Sequence, residues 1–215
     1  MKYQAVLFDM DGTVLDTLDD LTDAVNACFR HFGLPAVERG TVSANLGNGA
    51  AFLIQHCLPH AVSDDEEKTI LSWYKEYYDA HCRIKTAPYP GIPELMQLLF
   101  RNQIKLAVIS NKPDPAVQEL ATQFFPGLMD VVVGESAAVR RKPNPDTVLK
   151  AAEAIGVPID QCVYIGDTEV DIQTAKNAGM DCITVTWGFR SREKLQEAGA
   201  SVLVDSPEEL ELLLC

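Results

Sequence analysis

Four apolar residues, Ala5-Val6-Leu7-Phe8, run unbroken into Asp9-Met10-Asp11-Gly12-Thr13. A run this short, with no polar residue alternating through it, reads as a strand buried on both faces. Such strands belong to parallel sheets covered by helices on each side. A carboxylate buried without a partner is costly. Two of them, one residue apart at the end of a buried strand, therefore call for a cation, a phosphate-handling site, or both. Gly12 suits a sharp turn that a Cβ would resist. A plain acidic turn is the competing reading, because Asp and Gly are ordinary turn residues; the full string is more specific than that.

The rest of the chain divides by pattern. From Asp16 to His31, Leu18, Leu21, Ala24, Val25, Cys28 and Phe29 recur at helical spacing. A short helix is expected over 37–46, followed by the turn Gly47-Asn48-Gly49 and a helix over 50–57. Ser63 and Glu66 have the spacing of a capping box, opening a helix whose apolar stripe is Ile70, Trp73, Tyr74, Tyr77 and Tyr78. From Pro88 onward strands and helices alternate. Strands are expected at 105–109, 131–133, 162–165, 182–185 and 202–204. Asp114-Pro115 and Asn144-Pro145 each read as an N-cap followed by proline at the first helical position. Repeated strand–helix units imply a mostly parallel sheet with helices on both faces. The expected fold class is α/β, a doubly wound parallel sheet with an inserted all-α domain. The expected boundaries are 1–15 and 86–215 for the core and 16–85 for the insert.

The chain carries 31 acidic against 18 basic residues, a formal charge of -13. That balance argues against a nucleic-acid partner, which needs a basic stripe. It also means that an anionic substrate needs a metal or a local lysine or arginine to reverse the field. The six cysteines, at 28, 57, 82, 162, 182 and 215, form no CxxC motif and read as small core residues in a reducing compartment. The first strand starts too early for an export signal, and no apolar run reaches membrane-spanning length. A cytoplasmic protein without a membrane partner is the expectation; the sequence does not specify an oligomeric state.

In an open parallel sheet, ligands sit beyond the carboxyl ends of the strands. The expected strands deliver there Asp9 and Asp11, then Ser110 and Asn111, then the cations Arg140-Arg141-Lys142, then Asp167 followed by Asp171. Hard oxygen ligands in this number suit Mg²⁺, which binds carboxylates together with water and substrate phosphate. A metal, a cation and small hydrogen-bonding groups are what phosphoryl transfer requires.

These four motifs, DMDGT at 9–13, Ser110-Asn111, Lys142 in RKPNPD and GDTEVD at 166–171, resemble in kind and order those of the haloacid-dehalogenase superfamily of phosphotransferases. The insert resembles the family's C1 helical cap. Gly47-Asn48-Gly49-Ala50 and Trp187-Gly188-Phe189 are similar to the phosphoglycolate phosphatase branch. The resemblance implies Mg²⁺-dependent hydrolysis of a small phosphorylated metabolite, with 2-phosphoglycolate as the leading candidate. It implies Asp9 as nucleophile forming an aspartyl-phosphate. Asp11 would be the acid and base, and its carbonyl would bind Mg²⁺ together with the carboxylates of Asp9 and Asp167. Asp171 would be a more distant or water-mediated ligand, with a simple helix-start acid as its competing reading. Ser110 and the Asn111 amide would hold phosphoryl oxygens, and Thr13 would hydrogen-bond the site. The family's lysine–proline pairing selects Lys142 as the phosphoryl-neutralising cation. Gly47, Asn48 and Gly49 would meet the substrate from a lid. A phosphomutase, a nucleotide phosphatase and a pyrophosphatase are rivals on the same fold; a receiver-like phosphoacceptor module is the non-enzymatic one. The four histidines, His31, His56, His60 and His81, fall in the helical insert and read as surface or packing residues.

Overall fold

The structure, a computed structural model, describes residues 2–137 and 139–215. Met1 and Ala138, both within the range expected for the core, lie outside the described residues. The chain forms two compact units, Met1–Asp16 with Pro88–Cys215, and Thr17–Ala87. It opens with β1 (Ala5–Phe8) and β2 (Leu15–Asp16). The helical unit follows as α1 (Leu18–His31), α2 (Arg39–Ala44), α3 (Ala50–Cys57) and α4 (Asp64–His81). The chain returns through β3 (Ala87–Pro88), α5 (Ile92–Arg101), β4 (Lys105–Pro113), α6 (Asp114–Phe124) and β5 (Val131–Glu135). It closes with α7 (Asp146–Ile155), β6 (Cys162–Gly166), α8 (Glu169–Ala178), β7 (Asp181–Val185), α9 (Arg192–Glu197), β8 (Leu203–Val204) and α10 (Pro207–Leu214).

Among the described residues six strands form one sheet in the order β5-β4-β1-β6-β7-β8, and every neighbouring pair is parallel. All four residues of β1 are buried, as a central strand covered on both faces requires. Phe8 is level with Val108 of β4 on one side and Ile165 of β6 on the other. From β1 the chain builds outward through β4 and β5, then crosses to build β6, β7 and β8 on the other side. The reversal falls at β1, so the switch-point crevice opens at the end of the strand that carries Asp9. β2 and β3 pair separately, where the chain leaves and re-enters the core unit.

Several boundaries differ from the sequence expectation. β4 does not stop before Ser110 but runs on to Pro113, with a register shift against β5 between Ile109 and Pro113. Asp114 is the first residue of α6 rather than its cap, because its carboxylate accepts the N–H of Gly134 at 2.8 Å and so ties the helix start to β5. Likewise α7 begins at Asp146, with Pro145 as its cap. Ser63 caps α4 by accepting the N–H of Glu66 at 3.3 Å.

Within the helical unit, α1 buries Leu18, Leu21, Ala24, Val25, Cys28 and Phe29, and α4 buries Ile70, Tyr74 and Tyr78. Trp73 and Tyr77 lie off that line and are half-exposed. Trp73 stacks on His31 at 4.7 Å and on Tyr77 at 5.0 Å, and Tyr77 stacks on His81 at 3.9 Å. Asp20, also buried, accepts the N–H of Lys85 at 3.0 Å, the N–H of Thr86 at 2.9 Å and the Thr86 hydroxyl at 2.8 Å. That carboxylate joins the unit's first helix to its last residues. All six cysteines are free, and four are fully buried. No described helix is long and apolar enough to cross a membrane.

Candidate active site

Three strand ends and two loops of the core unit converge beyond β1. Asp9 follows β1 directly, and its N–H donates to the Ile165 carbonyl at 2.8 Å, which extends the ladder one residue past the strand. Gly12, at φ +84°, turns the chain back sharply; a Cβ there would overlap the Asp167 carboxylate. Thr13, carried round by the turn, donates its hydroxyl to Asp167 Oδ1 at 3.0 Å.

Lys142 stands at the centre of the charges. Its Nζ lies 2.8 Å from Asp9 Oδ1 and 2.7 Å from Asp171 Oδ1, and it donates to the Tyr164 hydroxyl at 3.0 Å. Its side chain is 2% exposed, so these ion pairs are sheltered from solvent. Asn111 fixes the lysine backbone from both directions. Its Oδ1 accepts the Lys142 N–H at 2.8 Å and its Nδ2 donates to the Lys142 carbonyl at 3.0 Å. The Asn111 side chain therefore acts on the lysine. Ser110 is buried beside it and accepts the N–H of Lys112 at 3.2 Å.

Asp171 is an acceptor for several protein donors. Besides Lys142, it takes the Thr168 hydroxyl at 2.7 Å and the Thr168 N–H at 3.1 Å on Oδ2. The last pair closes a capping box at the start of α8. The helix-start reading of Asp171 and its place beside the lysine hold together: one carboxylate does both. Asp9, Asp167 and Asp171 are buried and offer ligand oxygens all within 4.8 Å of one another. The carboxylate of Asp11 points elsewhere. It forms an ion pair with Lys112, whose Nζ is 2.9 Å from Asp11 Oδ1, while the lysine side chain is only 4% exposed.

Burial, then the neighbouring Asp171 charge, pushes Asp9 well above the usual carboxylate range, against the pull of Lys142. The same two causes push Asp167 up to about 7, opposed by hydrogen bonds from Phe189 and Thr13. Burial works to lower Lys142, but the Asp171 and Asp9 carboxylates outweigh it and hold the ammonium well above the usual lysine range. Fully ionised, Asp9, Asp11, Asp167 and Asp171 would outnumber the two lysines of the rim by two negative charges. Hard oxygens and a surplus of two charges in a buried cluster fit a divalent cation of the magnesium type.

The structure thus gathers Asp9, Asp11, Thr13, Ser110, Asn111, Lys142, Asp167 and Asp171 at one rim. Gly47, Asn48 and Gly49 belong to the helical unit, where Gly49, at φ 83°, precedes α3. Two polar partners escaped the sequence reading. Lys112 follows Ser110-Asn111 in a strand expected to end before it, and the polar triplet Ser-Asn-Lys after an apolar run gives no sign that the strand continues. Tyr164 sits within the apolar run of β6 and reads as core; only its hydroxyl, fully buried and in need of a partner, sets it apart.

Residues 6–185 match the sequence model of a family described as haloacid dehalogenase-like hydrolase. A Pseudomonas aeruginosa protein named phosphoglycolate phosphatase 1 is 30% identical over 212 residues, covering 95% of this chain and 77% of its own. A second protein from that organism, named N-acetylmuramic acid 6-phosphate phosphatase, is 31% identical over 98% of this chain and 94% of its own. A crystal structure from Lactobacillus delbrueckii subsp. bulgaricus, of a protein provisionally named phosphoglycolate phosphatase, superposes with a TM-score of 0.93. Its sequence is 44% identical, over 100% of this chain and 99% of its own.

Proposed function

The chain belongs to the haloacid dehalogenase-like hydrolases, and from that premise we propose that it hydrolyses a small phosphomonoester, with 2-phosphoglycolate the leading substrate, through a phosphorylated Asp9. The observation that carries the reading is the ammonium of Lys142 held between Asp9 at 2.8 Å and Asp171 at 2.7 Å. A nucleophilic carboxylate needs a cation beside it that also offsets the charge of the incoming phosphoryl group. Asp171 orients that cation, since its oxygens are already engaged by Lys142 and Thr168, and it would reach a metal ion only through water.

Asp9 attacks phosphorus, and as the bond from phosphorus to the leaving group breaks, Asp11, protonated for this step, gives its proton to the departing oxygen. Asp11 then takes a proton from the water that cleaves the aspartyl-phosphate. Lys112 holds Asp11 by one oxygen, 2.9 Å away. Ser110 offers its hydroxyl to a phosphoryl oxygen. Asp9, Asp167 and the backbone carbonyl of Asp11 would hold Mg²⁺, which when bound supplies positive charge against the phosphoryl oxygens. We assign substrate choice to the helical unit, with Gly47-Asn48-Gly49 as the turn to mutate.

The similarity to a phosphatase named for a sugar phosphate makes N-acetylmuramic acid 6-phosphate the second substrate to try. The test is phosphate release from both compounds and from p-nitrophenyl phosphate, with Mg²⁺ or with EDTA. Release is expected with Mg²⁺ alone, and Asp9→Asn should lower it by about 10⁴-fold or more. Undiminished turnover in EDTA, or in Asp9→Asn, defeats the reading. An isomerised product without free phosphate points to a mutase, and stoichiometric phosphorylation without release points to a phosphoacceptor module.

A further inference from the structure

We propose that Trp187-Gly188-Phe189-Arg190, the loop after β7, is a positioning loop that presets Asp167 for a divalent cation. The inference rests on the cation reading above and adds residues to which that reading gives no part.

Asp167 is fixed on both oxygens. Thr13 donates to Oδ1 at 3.0 Å, and the backbone N–H of Phe189 donates to Oδ2 at 2.7 Å. One donor on each oxygen stops the carboxylate turning about its own axis. The loop can approach this closely only because it carries a glycine: a Cβ on Gly188 would overlap both the Asp167 side chain and the Gly12 carbonyl. Gly12 stands at the same carboxylate and is held to glycine by the same close approach. Asp167 is thus enclosed by two backbone segments, one from the DxDGT turn and one from this loop.

The loop is tied down on either side of that contact. Trp187 donates its indole N–H to the Thr13 carbonyl at 3.0 Å, joining the loop to the residue that holds the other oxygen. Arg190, 6% exposed, places its guanidinium on Glu169 through two bonds of 2.8 and 3.0 Å. Glu169 is the first residue of α8, two positions after Asp167. The fork is planar and bidentate, so it fixes direction as well as distance. A ligand carboxylate held in place beforehand loses less freedom when the ion arrives, and such outer partners typically contribute about 10–100-fold to metal affinity.

The test uses the full chain stripped with EDTA, with Mn²⁺ and Mg²⁺ binding followed by calorimetry and melting followed with and without each ion. Arg190→Met is expected to raise Kd by about 10–100-fold, with Arg190→Lys in between. Trp187→Phe keeps an aromatic ring, removes the indole donor with its five-membered ring, and should raise Kd by at least about threefold. It carries the test alone if Arg190→Met does not fold. Arg140→Met breaks an equally forked but exposed pair with Asp146 and should leave Kd within about twofold of wild type. Wild-type binding with Kd unchanged in both loop variants overturns the loop's role alone. Failure of the wild type to bind either ion overturns the cation reading and this inference with it. A weakening that Asp20→Ala in the helical unit reproduces also overturns it, because general loosening would then account for the effect.

Discussion

Two parts of the molecule bury carboxylates, and they do so in opposite ways. In the helical unit Asp20 is 3% exposed and is met by donors alone, two backbone N–H groups and a hydroxyl at 2.8–3.0 Å. At the rim of the core sheet Asp9, Asp167 and Asp171 are just as buried but are crowded against one another. The first arrangement satisfies a charge and leaves it nothing further to do; it holds the two ends of an inserted segment together. In the second, burial is the first cause that pushes Asp9 and Asp167 upward, and the repulsion from Asp171, which Lys142 offsets only in part at Asp9, adds to it. Burial by itself does not mark a functional acid. Burial in like-charged company does, because such an arrangement costs stability that folding alone gives no reason to spend.

The largest effect should come from removing the cation on which the second arrangement depends. Lys142→Met leaves Asp9 and Asp171 facing each other with no positive charge between them. A broken buried pair costs about 3–5 kcal/mol, and phosphate release should fall by about 10³-fold or more. Urea melts and steady-state turnover measure the two losses separately. If the variant keeps wild-type stability, the carboxylates were never under strain and the contrast with Asp20 is wrong.

Asp20→Ala should be the next largest, and different in kind. It strands the N–H groups of Lys85 and Thr86, at about 3 kcal/mol in all. The affinity of the core rim for Mn²⁺ should stay within about twofold of wild type. A large change in ion affinity would show that the two carboxylate sites are not independent.

Asp9, Asp167 and Asp171 were legible in the sequence because they follow directly from a strand or sit in the first turn of a helix. Where β1 ends, Asp9 must be; where β6 ends, Asp167 must be, and Asp171 lies one helical turn further on. Lys142 lies in no such element, and its place beside Asp9 came from family resemblance. What could not be read was the supporting cast. Lys112 depended on β4 running past Asn111, a register shift against β5 that no periodicity announces. Tyr164 matters through one hydroxyl and Arg190 through a fork of two nitrogens, each meeting a partner far off in the chain: 22 residues separate Tyr164 from Lys142 and 21 separate Arg190 from Glu169, and such distances carry no signal. In the helical unit the stripe Trp73-Tyr74-Tyr77-Tyr78 splits into a buried line and a stacked, half-exposed line, because positions three and four apart share a face but adjacent ones do not. Nothing in the sequence singles out Asp20, since its partners are backbone groups 65 and 66 residues away.

The effect that is smallest per pH unit is the sharpest test of the contrast, because it is a slope with a definite sign. In EDTA, Asp167 holds a proton in the folded chain up to about pH 7, whereas its ordinary value, and so that of the unfolded chain, is 3.8. Between those values the folded state binds more protons than the unfolded state, so this group's contribution to stability is full below pH 4 and is lost as the pH rises toward 7. One such proton gives at most about 1.4 kcal/mol per pH unit. Asp9 is also raised and adds to the fall in the same direction. Asp167→Asn in EDTA should flatten the slope of stability against pH over this window. Mg²⁺, which binds the ionised carboxylate, should stabilise the wild type more at pH 8 than at pH 5. Equal slopes for wild type and Asp167→Asn would mean that Asp167 is not raised in the folded chain, and the argument for a cation drawn from its crowding would fail.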